Sequence, residues 1–232
     1  MSRDHPAVAH VASVAIALGP LSGRVVFIGG AIAPLLQTDP PFPRARPTSD
    51  VDGVIVTASY ADVQRLQQEL LGRGFRQPLA DPRHVHRWIS PGGVPFDLVP
   101  TGAHPGGSRN PWDAVAVETA VEATLDGGVA VRHASGPAFL ALKWAAHDDR
   151  GADDPRSSHN LEDLLALIAS RSSLPDEVEA APPKLRDFLA TRARRLLDDP
   201  ACEDLLFSHL NNAQDPAHTV AQVQEALTRI AG

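Results

Sequence analysis

Apolar residues in the first 135 positions come in short blocks punctuated by glycine and proline, whereas those after Gly136 recur at helical spacing. Short apolar blocks bounded by turn formers mark buried strands, and recurrence every three to four residues marks an amphipathic helix. Residues 6–19 accordingly read as a helix, 24–29 as a strand, and Gly29-Gly30 as the opening of a short helix. A strand at 51–57 leads into a helix over Tyr60–Arg73. Its Val63, Leu66, Leu70 and Leu71 keep helical spacing, and Gly72 and Gly74 end it. Runs at 84–90 and 94–100, joined by Pro91-Gly92-Gly93, predict a hairpin. The segments 39–48 and 102–111 carry loop composition, and a last strand is predicted at 129–133. Helices are then predicted over 136–149, 160–171, 183–198, 201–210 and 215–230. The pattern predicts an α/β (α+β) chain, with an α/β domain over 1–135 followed by an all-α domain over 136–232.

Composition narrows the class. A chain of 232 residues with 43% hydrophobic content can bury a substantial core. A formal charge of −7 argues against a nucleic-acid binder that is basic overall and leaves a local basic patch open. The lone cysteine, Cys202, excludes an internal disulfide and fits a cytoplasmic location. The first apolar stretch, Ala7–Leu18, is interrupted by His10 and has no basic flank, so no membrane partner is expected. Basic residues are lopsided, 19 arginines against two lysines, Lys143 and Lys184.

Candidate chemistry centres on Asp50 and Asp52, two apart at the start of the 51–57 strand. Side chains in a strand alternate faces, so the two carboxylates project together. Like charges so placed repel unless a cation or proton lies between them, so the pair is either a metal site or a costly defect. A divalent metal with hard oxygen ligands is the natural occupant. Asp97, flanked by Phe96, Leu98 and Val99, needs a partner if buried, and reaches the same ion if its strand lies beside 51–57. Upstream, Gly29-Gly30 lets backbone approach a phosphate closely. Lys143, inside the apolar run Ala138–Ala146, must snorkel or meet an anion.

The runs Phe27-Ile28-Gly29-Gly30-Ala31, Arg46-Pro47-Thr48-Ser49-Asp50-Val51-Asp52 and Phe96-Asp97-Leu98 together resemble the nucleotidyltransferase superfamily, the fold of polymerase-β-type palm domains. Farther on, Lys143 to Asp148-Asp149-Arg150, followed by Asn160-Leu161-Glu162-Asp163-Leu164-Leu165, is similar to the AbiEii-type members associated with abortive infection and toxin–antitoxin systems. The resemblance spans residues 24–168. Two departures stand out: Gly30 where many members carry serine, and Asn160 where the last block often carries aspartate.

The resemblance implies transfer of a nucleoside monophosphate from an NTP to an acceptor hydroxyl. Asp50, Asp52 and Asp97 would hold a pair of Mg²⁺ ions, with Asp97 accepting the proton. Gly29, Gly30, Ser49, Arg46, Lys143, Arg150 and Asp163 would form the nucleotide contacts, Arg150 alternatively pairing with Asp163 or a neighbour. The acceptor stays open among RNA, a protein side chain and a small molecule such as an aminoglycoside, and a cognate antitoxin is an implied partner. The alternative is a catalytically silent binding module, favoured by Asn160 and the missing turn serine.

Overall fold

Six strands pair into one mixed sheet in a computed structural model that describes residues 5–39, 48–78, 86–105, 107–151 and 153–232. In chain order the elements are α1 (Pro6–Leu18), β1 (Val25–Ile28), α2 (Ala33–Leu36), β2 (Val51–Val56), α3 (Tyr60–Gly72), β3 (Arg87–Ile89), β4 (Pro95–Thr101), α4 (Pro111–Glu118), β5 (Val121–Leu125) and β6 (Val129–His133). Six helices follow: α5 (Gly136–Arg150), α6 (His159–Ala169), α7 (Leu174–Glu179), α8 (Pro183–Leu197), α9 (Cys202–Leu210) and α10 (Pro216–Ala231). The chain is thus of the α/β class, a mixed sheet with helices followed by an all-helical C-terminal region.

The strands lie in the order β3-β4-β2-β1-β6-β5. β2 runs antiparallel to β1 and parallel to β4, and β3 closes a hairpin on β4. That hairpin turns where the sequence predicts: Ser90 N–H donates to Val94 O at 2.9 Å, and Gly93 takes φ 82°. Val25, Val26, Phe27, Val51, Val54, Ile55 and Phe96 are fully buried. Burial of side chains this size contributes about 1.5–3 kcal/mol each. Phe96 packs between Phe27 and Phe75, with ring centroids 6.3 and 6.0 Å away.

Two compact units result. The sheet unit comprises Ser2–Pro34 and Pro47–Ser135, and the helical unit comprises Leu35–Arg46 and Gly136–Gly232. Local bonds explain why residues after Leu35 belong with the helices: Thr38 and Asp39 N–H both donate to Ser170 O at 2.9 Å, and Arg171 donates to Leu36 O at 2.8 Å. Within the sheet unit, α1 continues through a 3₁₀ stretch, so the apolar span Pro6–Arg24 is longer than the sequence reading of it. By length and composition it could cross a membrane, yet Val8, Val11, Val14, Ala15 and Leu18 are buried as in a core helix.

Three elements are absent from the sequence pattern. α4 is short and starts at a Pro111 N1 position, capped by the Asn110 side chain accepting from Trp112 N–H. β5 is a sheet-edge strand whose residues are mostly exposed, so it shows no apolar run. α7 is a helix of six residues, too short for a period to show.

Candidate active site

Register places the acidic residues in one row across the sheet. Ile28 on β1 lies opposite Asp52 on β2, Asp52 opposite Asp97 on β4, and Asp97 opposite Arg87 on β3. Directly opposed residues share a face, so Asp52, Asp97 and Arg87 project together. β4 alternates strictly here: Phe96 and Leu98 are buried in the core, while Asp97 on the other face is half-exposed. The face carrying the carboxylates is therefore the open one.

Arg87 organises the row. Its Nε donates to Asp97 Oδ1 at 2.8 Å and its Nη2 to Asp97 Oδ2 at 2.6 Å, a two-point fork, and the same Nη2 reaches Asp50 Oδ2 at 3.3 Å. Thr48 Oγ1 donates to the other oxygen of Asp50 at 2.6 Å. Hydrogen bonding to Asp97 holds the Arg87 guanidinium above its ordinary pKa; the charges of Asp97, Asp50 and Asp52 push the same way, against partial burial. All three carboxylates therefore act on one cationic group. Arg87, Asp50 and Asp97 keep side-chain exposures of 27%, 37% and 23%, so water and solutes reach them.

The glycine turn is built around the same carboxylate row. Gly29 takes φ 74°, a region that side chains avoid. A Cβ there would lie 2.8 Å from Asp52 Cγ and nearer still to Oδ2. The Asp52 carboxylate thus rests against the bare Gly29 Cα, and the turn and the acidic strand fit only as a pair. Gly30 follows directly and opens a 3₁₀ turn, Gly30–Ile32. Gly53, next to Asp52, is needed for another reason: a Cβ would meet Val25 Cγ1 at 2.8 Å and Phe96 at 3.1 Å.

The structure thus brings Asp50, Asp52, Asp97 and Gly29 together, with Ser49 exposed beside Asp50. Arg46 lies outside the described residues. Lys143 and Asp163, expected among the nucleotide contacts, bind each other inside the helical unit at 2.5 Å, with side-chain exposures of 11% and 5%. The Lys143 ammonium also lies 5.4 Å from the Phe139 ring centroid. Of the two pairings expected for Arg150, the one with a neighbour is seen: Asp163 is taken by Lys143, and Arg150, 71% exposed, lies 3.9 Å from its neighbour Asp149. Arg87 is the residue that sequence reasoning missed. The signal was present in the hairpin, since a turn centred on Pro91-Gly92-Gly93 sets the register that opposes Arg87 to Asp97.

Among the described residues no group of three or more His, Cys, Asp or Glu side chains is converged for a metal ion. The Arg87 fork engages Asp97 and Asp50 instead. The donor set still suits a hard divalent cation, because three carboxylates against one guanidinium leave this set of four side chains net negative.

No family model matches the chain, and no curated protein matches it. Among solved structures, an antigenic nucleotidyltransferase-like protein from Paracoccidioides brasiliensis is 24% identical, over 68% of this chain and 73% of its own, at a TM-score of 0.45.

Proposed function

We propose that the chain is a Mg²⁺-dependent nucleotidyltransferase, moving a nucleoside monophosphate from an NTP to an acceptor hydroxyl with release of pyrophosphate. One observation carries this reading: Asp50, Asp52 and Asp97 share a solvent-accessible sheet face with a glycine turn shaped around Asp52. Asp50, Asp52 and Asp97 would hold the metal. When bound, the ion would polarise the transferred phosphoryl group and lower the pKa of the acceptor hydroxyl. The chain's own groups do the rest. Gly29, having no side chain, lets the phosphates approach the backbone beside Asp52. Asp97 is positioned to accept the acceptor's proton once its Arg87 fork opens. Lys143 and Asp163, engaged with each other, are left out of the nucleotide contacts.

The finer reading is an AbiEii-like toxin acting in the cytoplasm on RNA or protein and held by an antitoxin. It rests on the block from Lys143 to Asp163, from which Asn160 departs. Occupation of Asp97 and Asp50 by Arg87 favours a second reading, a silent binding module on the same fold. Incubation with each α-labelled NTP, Mg²⁺ and total RNA, protein extract or aminoglycosides separates the two. Transfer of label by the wild type and its loss in Asp52→Asn is the expected result. Absence of transfer to every acceptor, together with no calorimetric binding of Mg-NTP, overturns the enzyme reading.

A further inference from the structure

Arg87 makes three hydrogen bonds to two of the three carboxylates that the proposed function assigns to the metal. Lone pairs committed to a guanidinium are not offered to an ion, so the fork and a metal compete for Asp97 and Asp50. Guanidinium is never deprotonated in proteins, so pH cannot remove this competitor. Its side chain is partly exposed, whereas the next residue, Trp88, is buried, His86 O accepts from Leu98 N–H on β4, and Ile89 exchanges backbone bonds with Arg76, so the strand is held on both sides of Arg87. The side chain can therefore leave while β3 stays.

Where the guanidinium goes decides the energetics. With a metal alone, Arg87 gives up a two-point ion pair and receives only water. With a metal triphosphate it receives phosphate oxygens, whose charge and geometry match the same fork. We propose that Arg87 is a resident counter-cation that makes the metal site dependent on nucleotide: the guanidinium neutralises the carboxylates at rest and transfers to the triphosphate when metal and nucleotide arrive together. This rests on the nucleotidyltransferase reading and adds an order to it. Metal and nucleotide then assist each other reciprocally, because both draw on one displacement.

The test is Mn²⁺ binding, read by the electron paramagnetic resonance of free Mn²⁺. Wild type, Arg87→Met and Arg87→Lys are titrated with and without an α,β-methylene NTP analogue. Without nucleotide, Arg87→Met should bind Mn²⁺ roughly tenfold more tightly than wild type, the scale of an ordinary coupling between two sites. With the analogue the order should reverse, and Arg87→Lys should fall between. Equal metal-only affinity in wild type and Arg87→Met, with wild type still binding Mn²⁺ and analogue together, overturns the counter-cation and leaves the enzyme reading standing. No Mn²⁺ binding by any form under any condition overturns both. Should the variants fail to fold, the Arg87 Nε–H resonance of wild type decides. It should shift when Mg²⁺ and analogue are added together but not with Mg²⁺ alone; a signal unmoved by the pair overturns the proposal.

Discussion

The sheet unit and the helical unit each hold a cluster of acidic and basic side chains, and the two are built on opposite terms. In the helical unit Lys143 faces Asp163 one to one at 2.5 Å, nearly out of solvent. In the sheet unit one guanidinium faces three carboxylates, with 23–37% of each measured side chain exposed. A buried one-to-one pair is closed: both charges lose water, and each depends on the other. A half-exposed row with more acids than bases is open, since each contact is weak and exchangeable. Burial and charge balance, more than the mere presence of charged residues, separate a fastener from a site.

The largest break in that comparison should come from Lys143→Ala. Removing one member of a buried pair strands the other charge, a loss of about 3–5 kcal/mol. Denaturant unfolding should show it, and the double change Lys143→Met with Asp163→Leu should recover most of the stability. Unaltered stability in Lys143→Ala would make this pair as dispensable as a surface contact.

Gly29→Ala comes next. Positive φ strain of about 1–3 kcal/mol adds to displacement of the Asp52 carboxylate. Lower thermal stability and weaker Mn²⁺ uptake should therefore appear in the same variant. A stable Gly29→Ala that binds metal normally would show that turn and carboxylate are not fitted to each other.

Smaller again are the single carboxylates on the open face. Without metal, Asp97→Ala should lose at most about 1 kcal/mol and Asp50→Ala less, because these exposed contacts are screened. Asp97 makes the two-point contact and Asp50 the longer one, which sets the order. Thermal melts in metal-free buffer check it; a loss from Asp50→Ala larger than that from Asp97→Ala would contradict it.

The smallest effect is pH-dependent and belongs to the helical unit. Burial, with His209 and Arg192 nearby, holds His147 below its ordinary 6.5, while Asp148 pulls it up. Its partner is Ser158 Oγ at 2.8 Å, the cap of α6. The unfolded chain binds the proton more readily, so this contribution is full above pH 6.5 and is lost as the pH falls toward the lowered folded value. His147→Gln should flatten that part of the stability profile, and an unchanged slope would remove His147 from it.

Legibility in the sequence followed the physics of each element. β1 and β2 are largely buried runs and β4 an alternating one, and Asp50-Val51-Asp52 announces its own geometry because strand alternation is local. β5 is an exposed edge and α4 a short capped helix, so neither projects a period. Asp97 was identifiable as a carboxylate needing a partner, but that partner lies across a hairpin, where register and not residue type decides. Lys143 shows the reverse case: its apolar helix demanded an anion, and in this structure Asp163, one helix away, supplies one.

The central claim is that the open acidic row takes a cation and the buried pair does not. Mn²⁺ titration of wild type, Asp52→Asn and Asp163→Asn in the presence of an NTP analogue tests it most directly. The account predicts that Asp52→Asn abolishes saturable Mn²⁺ binding and that folded Asp163→Asn retains it. Binding lost in Asp163→Asn and kept in Asp52→Asn would contradict it.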